Sequence, residues 1–364
     1  MFNVNASPAP SSLYRLKLMI GVIALGAALS LPTAAHAMED IAVVDFQLID
    51  RLMAADQVNT MTESLLTAPE LEPAGETGKY NLSGPIQEEP QSPKDADARF
   101  YTGAPPRTYA SFGEDVKAIK WELAAVAGYY TAINAPKLLK DPRWPRTQKE
   151  GWFGHSTQNL GVDKLAHAYS AYMISELLYG RIKRNVGDAP GIELTAGALA
   201  SGIMLWSEVF DSIEPSGGWS WEDVTFNSLG AGFSVMRNSV PGLDDKLDFR
   251  LLIEPNEDIY TVKGKEHFRQ QRYLFALKLA GFEVFKKTPL KYAELHLGYR
   301  ADGFSNEDRA AGVPSKRHVF AGVGINLKEL LFKDARTQKG RVAGEVFTYF
   351  QPPFIGIHHD LTER

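Results

Sequence analysis

The 364-residue chain has no cysteine. Disulfides, thiolate metal sites, cysteine nucleophiles and a lipid-bearing cysteine are therefore excluded within it. It has no excess of positive charge either. Lys and Arg number 39 against 44 Asp and Glu, for a formal net charge of −5. That balance excludes a nucleic-acid binder relying on a global basic field. Long hydrophobic runs are missing as well. Leu18–Leu31 and Leu194–Ser207 each stop at 14 residues, short of the roughly 20 that a spanning helix needs. Catalytic signatures are equally scarce. There is no HExxH, no paired Glu-x-x-His, no Gly-x-Ser-x-Gly elbow, no Ser-x-x-Lys, no Walker loop and no dinucleotide fingerprint. What is present is ordinary globular composition, with 44% hydrophobic and 23% charged residues.

The N-terminus reads as an export signal over residues 1–37. Arg15 and Lys17 precede the apolar run, and Ala35-His36-Ala37 supplies a small-x-small cleavage pattern. Cleavage after Ala37 is expected, in preference to an uncleaved anchor. An exported chain without cysteine suits a periplasm or outer membrane. Residues 38–65 contain a short helical segment, with Ile41, Val44, Leu48 and Leu52 at helical spacing. Residues 66–108 hold seven prolines among Glu, Gln, Ser and Lys, a composition that favours a disordered linker.

Helical periodicity resumes near Gly113. One helix is expected over Glu114–Ile133, followed by a loop at 136–162 rich in Trp, Pro and Gly. Three more helices are expected, over Asp163–Arg184, Ile192–Ile213 and Trp221–Asn238, the last with Ser220 as N-cap. After Asp248 the pattern becomes alternating. Strands are expected at Tyr273–Phe285, Lys291–Phe304, Arg317–Leu327 and Arg341–Phe350, with Gly281, Gly298, Gly322 and Gly324 as bulges or close approaches. The expectation is an α+β fold. A bundle of about four helices (113–240) packs with a C-terminal antiparallel sheet (248–355). On Tyr292–Asp302 the odd positions are apolar, and that parity suits either lipid or the bundle.

Three neighbouring helices each carry a polar pair on an apolar background. Asp163 and His167 are four apart, beside Lys164. Glu208 and Asp211 are three apart, and Asp223 and Asn227 four apart. An unpaired buried charge costs several kcal/mol, so these groups should either find one another or face water. The expectation is one shared polar cluster of Asp163, Lys164, His167, Glu208, Asp211, Asp223 and Asn227. Each also has a plainer role: Asp163 and Asp223 as caps, Lys164 as a solvated lysine, His167 as a satisfied core histidine. Candidate catalytic residues are His167, Asp163, Glu208 and Asp211, with His167 as a general base. Candidate ligands for a divalent metal are His167, Glu208, Asp211 and Asp223. Ser201 and Ser207 look like packing positions.

EGWFG (150–154), DKLAHAY (163–169), SEVFD (207–211) and SWEDVTFNSLGA (220–231) resemble the YfiM-like family of periplasmic or outer-membrane proteins of unknown function. The resemblance continues through DFRLLIEP (248–255), ELHLGYRADGF (294–304) and VGINLKELLF (323–332), over roughly residues 100–355. The ordering of DK-x-x-H, an acid at a helix end and Asp-x-x-x-Asn-x-x-Gly is similar, more weakly, to VanZ-like membrane domains. Both imply a cell-envelope location, and the YfiM-like family brings no established activity. Many YfiM-like members carry a lipid on cysteine, which this chain lacks. The leading functional expectation is a non-enzymatic envelope protein whose partner is an envelope component or membrane lipid. The alternative is a hydrolase or lipid-modifying enzyme using the His/carboxylate cluster, with or without a divalent metal. A third reading has the strands facing lipid.

Overall fold

The computed structural model describes residues 111–155, 157–254 and 266–362. The expected signal, the 38–65 helix and the 66–108 linker lie outside the described residues. Two short helices open the described chain, α1 (Phe112–Ala118) and α2 (Lys120–Asn134). The single helix expected over Glu114–Ile133 is thus broken at Ile119. Ile119 leaves helical geometry and is fully buried, beside Asp115, whose carboxylate accepts from Thr195 Oγ1 at 3.0 Å. A tight turn over Ala135–Leu139 follows.

The bundle proper is α3 (Val162–Val186), α4 (Ile192–Ile213) and α5 (Trp221–Ser239). These bounds agree with the hydrophobic periodicity to within two residues. Ile174, Leu178 and Ile182 of α3 close on Ile192, Ala196, Ala200 and Ile203 of α4. α3 and α5 approach closely at Gly230, where an added Cβ would lie 1.8 Å from the Ala168 carbonyl oxygen. No side chain fits there, and the contact brings Asn227, one turn before Gly230, against His167.

A four-residue helix, α6 (Leu243–Lys246), leads into the sheet. The strands are β1 (Leu247–Ile253), β2 (Gln271–Lys278), β3 (Ala293–Asp302), β4 (Lys316–Ile325), β5 (Phe350–Gln351) and β6 (Gly356–Asp360), in the order β5-β1-β2-β3-β4-β6. All pairs are antiparallel except β1 with β5. The expected first strand stops at Lys278 rather than Phe285, because Leu279–Gly281 turns and α7 (Glu283–Lys286) follows. The helix α8 (Asn306–Ala310) joins β3 to β4, opened by a capping box between Ser305 and Asp308.

Arg341–Phe350 is not a strand. Gln338–Tyr349 is a helix, α9, whose N-cap Thr337 accepts from the Gly340 N–H at 3.1 Å. Its Gly344 lies on Phe332 and its Phe347 stacks on the same ring at 5.5 Å. Ten residues of alternating pattern could not separate helix from strand, and tertiary packing decided.

The sheet's two sides differ in chemistry. On one side Phe249, Leu251 and Tyr273 pack against Tyr169 and Tyr172 of α3. The other side is buried yet charged. Arg237 of α5 donates to Glu176 of α3 (2.9 Å) and to Asp248 of β1 (3.1 Å). Asp248 also accepts from Lys278 of β2 and Arg250 of β1, both at 2.7 Å. Arg250 continues to Glu294 of β3 at 2.7 Å and to Gln351 of β5 at 2.9 Å. Glu294 meets His296 at 3.0 Å, and His296 meets His358 of β6 at 2.9 Å. This chain of charges joins bundle to sheet. Gly324 leaves room for the His296 ring, which would be 2.3 Å from an added Cβ.

Candidate functional site

The site forms where α3, α4, α5 and the loop before α3 meet. The loop is stitched to the α4–α5 turn: Gln148 N–H donates to Trp219 O and Trp219 N–H to Arg146 O, both at 2.8 Å. The Arg146 guanidinium adds bonds to the Pro215 and Gly217 carbonyls. Glu150 is thereby held over the start of α3. Ser220 caps α5 by accepting from Asp223 N–H at 3.2 Å, as its sequence suggested. The Asp223 carboxylate does not return to the cap; it turns to Lys164.

Lys164 is fully buried, so it is not a solvated surface lysine. Its ammonium donates to Asp223 (2.6 Å), Glu150 (2.5 Å) and Asp163 (3.2 Å). Burial opposes its charge, but Asp223 and Asp163 outweigh burial and hold the ammonium protonated above its usual range. It sits where a cation bound by Glu150, Asp163 and Asp223 would sit. Among those acids, burial and the Asp223 charge push the Glu150 carboxyl up. Burial also acts against ionised Asp223, but His167 and Lys164 override it and hold that carboxyl down.

His167 lies beside a second set of acids. Its Nδ1 is 3.2 Å from Asn227 Oδ1 and 3.5 Å from Glu208 Oε1, and its Nε2 is 3.8 Å from Asp223 Oδ1. Glu208 is only 1% exposed, and among the described residues neither carboxylate oxygen has a hydrogen-bond partner. Burial, then the charges of Asp223, Asp211 and Glu150, push its carboxyl well above the usual range. The buried Asn227 Nδ2 is also without a partner. One ligand atom each from His167, Glu208 and Asp223 fit within 4.8 Å of one another, and one nitrogen with two carboxylate oxygens suits zinc or manganese. Asp211 belongs to the rim instead. It is ion-paired with Lys137 from the turn after α2, although burial still raises its carboxyl.

A polar cavity of about 410 Å³ opens onto this cluster, with Gln148, Glu150, Asn159, Asp163, His167 and Asp223 on its wall. Glu208 is not part of that wall. The seven expected residues thus share one region, Asp211 at its edge. Glu150 and Lys137 were missed as members. Glu150 lies in a quoted motif, but nothing in its spacing relates it to Lys164. Ser207 accepts from Asn134 Nδ2 at 3.0 Å, a packing role.

Residues 149–239, which span the loop and the three site helices, match the model of a family described as predicted periplasmic lipoprotein (DUF2279), a family of unknown function. No cysteine in this chain can carry that lipid. No curated protein and no solved structure matches the chain. Among the described residues no helix is long and apolar enough to cross a membrane.

Proposed function

We propose that the protein is an exported cell-envelope enzyme of the metal-assisted hydrolase class, with a divalent cation held by His167, Glu208 and Asp223. One observation carries this reading: Glu208 is buried with neither oxygen hydrogen-bonded among the described residues, the nearest ring nitrogen being His167 Nδ1 at 3.5 Å. Ionised, such a buried carboxyl costs several kcal/mol, which is why burial pushes it toward its neutral form; a divalent cation would let it ionise without that cost. Charge balance points the same way. Among the described residues, Glu150, Asp163 and Asp223 share the Lys164 ammonium, Asp211 has that of Lys137, and no ammonium pairs with Glu208. A cation there would supply Lewis acidity and an activated water. This chain's own residues add an open polar wall for substrate and a fixed anion at Asp223, with Glu150 beside it on the same wall.

The family match and the YfiM-like resemblance support the envelope location, with export and cleavage after Ala37 as part of the same proposal. We take 113–240 and 248–355 as the two packed regions. One observation favours a second reading, a non-catalytic envelope protein. Lys164 already satisfies three carboxylates and staples the loop to α3 and α5, as a purely structural cluster would.

The test is titration of chelator-treated full-length protein with zinc or manganese, followed calorimetrically. One equivalent should bind, and E208Q and H167A should lose it, while K137M should keep it. Wild-type protein that binds neither metal, or E208Q that binds as well as wild type, refutes the metal site and leaves the structural reading.

A further inference from the structure

The β-sheet is inverted relative to a half-solvated sheet, in which polar residues face water. Here Asp248, Arg250, Lys278, Glu294 and His296 are buried. The other parity carries Phe275, Leu295, Leu297, Val323, Ile325 and Ile357, exposed by 41–84%. These are register neighbours. Phe275 opposes Leu297, Leu295 opposes Val323, and Val323 opposes Ile357. They therefore form one apolar surface across β2, β3, β4 and β6. The bundle covers only the far end of this face, through Tyr169 and Tyr172 against Phe249 and Tyr273 and Phe153 against Tyr299. The odd parity of β3 is thus divided. Tyr299 and Ala301 pack into the protein, and Leu295 and Leu297 stay 45% and 53% exposed beside their cross-strand neighbours.

At the bare end, the connections extend the apolar surface. The turn before β3 exposes Leu290, the turn after β4 exposes Leu331 (62%), and the approach to β6 exposes Phe354 (83%). The first two turns touch each other. Lysines surround them. Lys286 pairs with Glu283 and Lys333 with Glu329, while Lys287 is exposed and Lys291 lies over the Tyr292 ring. Lys287 and Lys291 therefore remain as charge beyond the local ion pairs. Apolar tips set among lysines are the chemistry of an interfacial anchor, in which the tips enter the acyl region and the ammonium groups meet anionic headgroups. Depth also fits. The bare stretch of β3 from Ala293 to Leu297 rises roughly 13 Å at about 3.3 Å per residue. That is about half of the ~30 Å hydrocarbon core, so it suits one leaflet.

We propose that this end of the sheet docks on an anionic lipid bilayer, with Leu290, Leu331, Phe354 and the Leu297–Ile357 face entering one leaflet. The inference is independent of the metal site. Alternating apolar-out, polar-in strands are what a lipid-facing sheet requires.

The experiment is co-sedimentation of the purified mature protein, residues 38–364, with vesicles of phosphatidylethanolamine and phosphatidylglycerol, beside vesicles of phosphatidylcholine alone. Wild type should pellet with the anionic vesicles. The double change L297S/I357S should weaken binding by about tenfold or more, the loss expected from at least one inserted side chain. The charge reversal K287E/K291E should weaken it about fivefold per lysine on anionic vesicles only. All four positions are at the surface or half-buried. An unchanged far-ultraviolet circular dichroism spectrum and thermal transition would confirm that the variants fold. As a second readout, L297W should be quenched by brominated lipid. Two results overturn the proposal. One is mature protein that stays in the supernatant as a monomer, its face covered by its own chain. The other is a protein that stays there as a dimer which L297S/I357S dissociates.

Discussion

Replacing Asp248 by asparagine removes one charge and almost no volume. In the native protein its carboxylate accepts from Lys278, Arg250 and Arg237, and the side chain is fully buried. Together with Glu176 and Glu294 it balances those three cations one for one. D248N leaves one positive charge in excess among side chains that are all buried. Removing one partner of a buried pair costs about 3–5 kcal/mol. Lys278 sets where in that range the value falls. Burial holds its ammonium below the usual range even with Asp248 present, so without Asp248 it sheds its proton more readily. The lower end, about 3 kcal/mol, is therefore expected at pH 7. The loss should shrink as pH rises. Urea denaturation of both proteins at several pH values measures it. The double variant D248N/K278M removes the excess charge and should recover at least about 1 kcal/mol of the loss. Acid supplies a further check. Burial works against the ionised Asp248 carboxylate, but Lys278, Arg250 and Arg237 outweigh it and hold the group well below the usual carboxylate range. Its contribution is therefore present above about pH 4, the unfolded value, and is lost as pH falls further. D248N should show a flatter profile there. A loss under about 1 kcal/mol, or a double variant no more stable than the single, would refute the reasoning.

K164M should destabilise the protein by about 3–5 kcal/mol in chemical denaturation, because Glu150, Asp163 and Asp223 lose their common cation; a change within about 0.5 kcal/mol would mean that the acids relax into water. The His358 ring is pulled down to about 4 by burial, then by His296 and Arg272. Between about pH 6.5 and 4 the unfolded chain takes up a proton that the folded chain refuses, so stability should fall as pH falls through that window. H358Q should flatten the slope, and an unchanged slope would assign it to other groups. G230A drives a methyl group into the Ala168 carbonyl and should lower stability by about 1–3 kcal/mol. A thermal transition unmoved from wild type would show that α3 and α5 can separate freely.

The three site helices were legible because their apolar periodicity is long and their ends are marked, by Ser220 before α5 and by Pro241-Gly242 after it. The cluster was legible for a related reason: charged pairs spaced three or four apart on apolar helices have few places to go. Glu150 was not, since it belongs to a loop whose path depends on Arg146 reaching the carbonyls of Pro215 and Gly217, some 70 residues away. The short segment at Arg341–Phe350 misled because ten residues cannot distinguish a two-residue from a 3.6-residue period once Gly344 and Phe347 have a ring to rest on. The charged face of the sheet was hidden by convention. Asp248, Arg250, Lys278 and Glu294 occupy the parity that normally faces water, and only the fold reveals that it is the inner one.

The hydroxyl of Tyr169 donates to the Tyr349 carbonyl at 2.7 Å, across 180 residues of chain. Glu176, seven residues after Tyr169, waits for Arg237 and is approached by the Tyr349 hydroxyl at 3.4 Å. A polypeptide is delivered from its N-terminus, so the acid on α3 waits for Arg237 and the Tyr169 hydroxyl waits far longer, for Tyr349. Such non-local closure is slow and leaves sticky surface open in the meantime. The chain therefore has a vulnerable period that closes only when Tyr349 arrives. Loss of residues beyond Thr348 should therefore show up less as a missing strand than as poor yield of the whole protein.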